Sequence, residues 1–163
     1  MTDVELVWKV PPPGLPILPA RRGVMATPLA MPTMHDLATI VRNLASARSL
    51  HAGVVQLQRE ICKLLRVSDA LCAWIDWPRR IAWTISGKLG DQVQDLVMEA
   101  GGSGRRVFLG GAVIEPLGRP PTHSVIALRK PSGISFSSSE LTMIATLGAG
   151  IAPVLARLIA AEP

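Results

Sequence analysis

The sequence predicts an α+β domain: a central, mostly antiparallel sheet of five or six strands, helices over 34–66 and 137–159 on one face, and a short helix over 91–100 on the other. Three stretches carry that prediction. His123–Lys130 (HSVIALRK) has an apolar, β-branched centre between polar ends, and Pro131-Ser132-Gly133 turns the chain directly after it, so it reads as a core strand. Phe136-Ser137-Ser138-Ser139-Glu140-Leu141 opens a helix: Ser137 is placed to cap the Glu140 N–H, Glu140 to reach back to Ser137, and Phe136 and Leu141 to pack as a hydrophobic staple. Ala70–Trp77 and Ile81–Ser86 flank Pro78-Arg79-Arg80 and read as a hairpin.

In chain order, Val4–Val10 has the alternation of a short strand, with Val4, Leu6, Trp8 and Val10 on one face. Seven prolines then fall between residues 11 and 34, which forbids a regular helix and favours an extended path. The apolar residues between them (Leu15, Ile17, Leu18, Val24, Met25, Leu29, Met31) suggest an arm, residues 1–33, that lies along its own domain or a partner, with a structureless tail as the alternative. The domain proper is 34–163. Thr33 caps a helix from Met34 to about Arg48, whose apolar face is Leu37, Ile40, Val41 and Leu44. Ser49 starts a second helix, carried to Arg66 by Val54, Leu57, Ile61, Leu64 and Leu65.

Trp74 and Trp77 differ by an odd number of positions, so they point to opposite faces of their strand. Asp91–Ala100 is helical in period and is expected to stop at Gly101-Gly102. Strands over 105–109 and 112–117 are separated by Gly110-Gly111, and Gly118-Arg119-Pro120-Pro121 turns into the core strand. In the last helix Ile144, Leu147, Ile151, Val154, Leu155 and Leu158 make one apolar stripe. Pro153 predicts a kink or loosened turn near Gly148–Gly150.

This order of elements over 34–160, with Phe-Ser-x-x-Glu-Leu before a long final helix, resembles GAF domains, the small-molecule-sensing and dimerisation modules of signalling proteins. The resemblance implies a homodimer whose face is Leu37, Ile40, Val41, Leu44, Ile151, Leu155 and Leu158. It also implies that any ligand pocket lies between the sheet and the 91–100 helix, lined by Trp74, Trp83, Val97, Phe108, Ile114 and Ile126, with Arg105 and Arg119 as anion contacts. Ordinary core packing is the competing reading of each apolar residue in that set. The chain lacks the Asn-Lys-x-Phe-Asp-Glu signature of cyclic-nucleotide GAF domains, and the short segment between its second and third strands leaves little material for pocket-closing loops.

Composition narrows the function further. With 163 residues, 48% of them hydrophobic, one domain can bury a core without disulfides or metals. No apolar run approaches the ~20 residues of a membrane span and no signal peptide opens the chain, so a cytoplasmic protein is expected. The excess of Arg over Lys, the many Ala and Gly residues and the absence of Tyr fit a high-GC, bacterial genome. A net charge of +5 invites a nucleic-acid partner, yet the basic residues fall in scattered pairs at turns and strand ends, which argues against one.

Cys62 and Cys72 sit among apolar residues and read as buried thiols, against a thiol-dependent reductase and against bilin attachment. His35, His51 and His123 have no metal-ligand spacing, so no metal or cofactor is expected. Gly101-Gly102-Ser103-Gly104 before Arg105-Arg106 is no phosphate loop, because a helix precedes it and a strand follows. With no kinase, cyclase or DNA-binding segment beside the domain, the expectation is non-enzymatic regulation or scaffolding through homodimerisation and protein contacts, some of them made by residues 4–32. A small-molecule sensor is the alternative.

Overall fold

The computed structural model of the chain describes residues 32–131 and 134–162. The expected strand Val4–Val10 and the proline-rich arm, apart from Pro32 and Thr33, lie outside these residues. The elements are α1 (Met34–Ala45), α2 (Leu50–Leu65), β1 (Asp69–Asp76), β2 (Ile81–Thr84), β3 (Gly87–Lys88), α3 (Asp91–Ser103), β4 (Val107–Leu109), β5 (Ala112–Leu117), β6 (Ser124–Arg129) and α4 (Ser138–Ala161).

The expected caps form. Thr33 accepts from the Asp36 N–H at 3.2 Å while its own N–H donates to the Asp36 carboxylate at 2.7 Å, satisfying two backbone donors that the first turn leaves free. Ser49 accepts from the Ala52 N–H at 3.1 Å. Ser137 and Glu140 complete a second reciprocal box at 3.1 and 2.9 Å, and Phe136 and Leu141 both pack against the core beside it.

One six-stranded sheet runs β3-β2-β1-β6-β5-β4, every neighbouring pair antiparallel. Alternation splits its side chains between two cores. Cys72, Val113, Leu117, Ile126 and Leu128 face α1, α2 and α4. Leu71, Ala73, Ile75, Ile114, Val125 and Ala127 face α3. The α+β architecture, with three helices on one face and one on the other, is the one expected.

Four details depart from the sequence reading. β3 is only two residues long, too short to announce itself by alternation. α3 runs through Gly101-Gly102 and stops at Gly104, which takes the left-handed conformation at φ 69°. Gly101 is an internal packing position: a Cβ there would come within 2.5 Å of Ile75 Cδ1. α4 continues unbroken through Pro153, and Gly148 and Gly150 serve close approach instead, since added Cβ atoms would meet Leu117 and Val41 at 2.9 Å.

The fourth departure is length. α4 is a 24-residue helix of mean hydropathy 1.8, long and apolar enough to cross a membrane by length and composition. Its Ala, Gly and Thr residues kept it from standing out as an apolar run. Ile144, Leu147, Gly148, Ile151 and Leu155 nonetheless seat it in the domain core, with only 28% of that apolar window buried.

Candidate functional site

The eight residues expected around a ligand do not converge. Val97 and Ile114 do lie between the sheet and α3, inside a packed layer. Trp74 and Ile126 face the opposite side, against α1, α2 and α4. Trp83 stands directly across from Trp74, and Phe108 across from Val113, so both share that side too. Phe108 is 58% exposed, and Arg105 and Arg119 are exposed as well. Period-two alternation correctly separates Trp74 from Trp77, but it does not say which face meets which helix. Trp77 is the tryptophan on the α3 side, its indole N–H donating to the Thr122 carbonyl at 2.9 Å.

The residues expected at a dimer face are largely consumed within one protomer. Leu37, Ile40, Leu44, Ile151 and Leu155 interlock in the core, while Val41 and Leu158 keep partial exposure. Amphipathic helices bury their stripes against whatever is nearest, and here that is one another and the sheet. The outer face of α4 carries a file of small residues, Ala145, Ala149, Pro153, Ala156 and Ala160, at intervals of three and four, beside the exposed Thr142, Thr146 and Arg157. An open cleft of about 420 Å³ runs between this face and Gly118, Arg119 and His123.

The thiols are not activated. Burial pushes Cys72 up to about 12. Cys62 is raised by burial and by the negative charge of Asp69, with the Ala70 backbone N–H partly offsetting them. Both are therefore protonated near neutral pH, the state in which a thiol is a poor nucleophile. The histidines are exposed at the starts of α1, α2 and the β6 approach.

Basic residues from three of the expected pairs meet acids of this same chain. Arg106 stands opposite Glu115 across the β4–β5 ladder, bonding it at 2.5 Å and the Leu141 carbonyl of α4 at 2.9 Å. Arg129 pairs with Asp69 at 2.6 Å, across β1 and β6. Arg79 lies 3.7 Å from Asp76.

An apolar groove missed at the sequence level opens where the C-terminal end of α2, the end of β6 and the first turn of α4 meet. It encloses about 330 Å³ and is walled by Pro32, Leu64, Leu65, Pro131, Ile134 and Met143, with Arg66, Lys130, Ser137 and Glu140 on its polar side. Ile134 is 49% exposed there. Lys130 bonds Glu140 at 2.5 Å and sits 5.2 Å from the Phe136 ring centre, a cation over an aromatic face. Its volume reaches the lower end of the range of small-ligand pockets, but its walls belong to three elements far apart in sequence, so no local motif announces it.

No protein-family model matches the chain, and no curated protein sequence matches it. Solved structures do. The chain is similar to the GAF domain of an Acinetobacter phosphoenolpyruvate-protein phosphotransferase, at TM-score 0.63 and 16% identity over 79% of this chain and 95% of that one. It is similar to the GAF domain of the Escherichia coli potassium sensor histidine kinase KdpD, at TM-score 0.58 and 14% identity over 78% and 96%. It is also similar to the free methionine-R-sulfoxide reductase of Neisseria meningitidis, at TM-score 0.61 and 10% identity over 77% and 89%. Spanning nearly the whole of each neighbour with the same layered sheet, the chain has the fold of a GAF domain.

Proposed function

We propose that this chain is a cytoplasmic, non-enzymatic regulatory module that works as a homodimer and through protein contacts. The observation that carries the reading is where apolar surface remains open: on the outer face of α4, in a helix whose apolar window is only 28% buried. Contiguous exposed apolar surface marks association sites. Ala149, Pro153 and Ala156 let a second helix approach closely, and the groove beside Ile134 is a second contact surface. GAF-like neighbours that belong to a phosphotransferase and a sensor kinase support regulation as the setting.

The reductase among the neighbours raises a thiol enzyme as a rival. The upward shifts of Cys62 and Cys72 speak against it, because the chemistry needs a thiolate.

Sedimentation velocity tests the dimer. The wild-type chain is expected at twice its monomer mass. Ala149→Glu with Ala156→Glu, two exposed positions, is expected to give monomer with an unchanged circular dichroism spectrum. A wild-type chain that stays monomeric at every concentration, or a double variant that remains a dimer, contradicts the reading.

A small-molecule sensor has one observation in its favour. The Thr122 hydroxyl is buried near Gly101 and has no hydrogen-bond partner among the described residues. Buried polar groups ordinarily find a partner.

A further inference from the structure

We propose that the groove between α2, β6 and α4 is the docking site of the chain's own segment just ahead of it, Pro28–Met31. The inference rests on the groove being a contact surface, as read above. Pro32 is one of the residues that line the groove, and the 31 residues before it are covalently tethered there. Tethering gives an occupant an effective concentration near the millimolar range, well above that of a second copy at micromolar protein.

The chemistry of the two sides matches. Leu64, Leu65, Ile134 and Met143 present aliphatic and thioether surface. Water held there gains few hydrogen bonds, whereas apolar side chains gain about 25 cal/mol per Å² of surface removed from water. Leu29 and Met31 lie two positions apart between Pro28 and Pro32, the spacing that shares one face in a β-like strand. Met31 also has the unbranched thioether that fills irregular gaps. Pro28–Met31 carries no charge, and the wall asks for none, because Lys130 and Glu140 already bond each other.

The test uses the full chain with ¹³C-methyl-labelled methionine, its six methionines assigned by single substitution. A nuclear Overhauser contact between the Met31 and Met143 methyls is expected, unchanged on tenfold dilution and absent between differently labelled chains in a mixed sample. Leu29→Gln is expected to shift the Met143 methyl while circular dichroism stays constant. A contact seen only between differently labelled chains assigns the groove to a second copy and overturns the proposal. So does a Met143 methyl that shows no contact and ignores Leu29→Gln. Partner binding is not measured, so this failure leaves the groove's reading as a contact surface standing.

Discussion

Thr122 poses the sharpest residue-scale question, because its buried hydroxyl has no partner while its backbone N–H donates to Gly101 and its carbonyl accepts from Trp77. A buried hydroxyl without a hydrogen bond costs about 1–3 kcal/mol. Thr122→Val keeps the shape and removes the cost, so chemical denaturation is expected to show a gain of ~1 kcal/mol. A loss of stability would mean that the hydroxyl has a partner in solution, an ordered water or a ligand, and would contradict the expectation. Neighbouring residues also mark how far sequence reading reaches. Arg105 and Arg106 look alike in a list, yet Arg105 is exposed and Arg106 is clasped between Glu115 and Leu141. Strand parity puts them on opposite faces, but only the register 106 against 115 supplies the acid.

At the scale of elements, local signals were legible wherever backbone chemistry sets them. Both capping boxes, the two-residue Gly110-Gly111 hairpin and the core strand all fall where the residues put them. Signals that depend on tertiary packing were not. The stop of α3 moved to Gly104 because Gly101 is held against Ile75, and Gly148 and Gly150 turned out to seat Leu117 and Val41. Glu140 joins the two kinds, capping α4 while bonding Lys130 of the preceding strand end. Burial raises its pKa, but the Lys130 hydrogen bond and charge and the Ser137 backbone and hydroxyl outweigh it, so the net shift is downward. A carboxylate whose pKa is lower folded than unfolded stabilises the fold above its unfolded pKa and loses that contribution as pH falls through the folded value. Wild type is therefore expected to exceed Glu140→Gln by about 0.5 kcal/mol at neutral pH, since Gln keeps the cap but loses the charge. The gap is expected to close below about pH 4. A gap that persists in acid would show that the carboxylate's charge is not its source.

At the scale of the whole molecule, the layered architecture was readable because element order and amphipathic period together admit few arrangements. The site was not. The eight residues expected around a pocket beside the 91–100 helix scatter over both faces, since alternation determines which residues share a face but not which helix covers it. The stripes expected at a dimer face carry a related ambiguity: an apolar stripe says that a face is buried, without saying whether its own domain or a second copy buries it. Leu37, Ile40, Leu44, Ile151 and Leu155 go to the domain, and the small outer residues of α4 are what remain. The account therefore predicts a protein whose interior is full and whose surface carries its function. Native mass spectrometry of the freshly purified chain measures both parts at once. The expected result is a species of twice the 17.4 kDa polypeptide mass with nothing added. A chain retaining a non-covalent small molecule, most tellingly as a monomer, would contradict it.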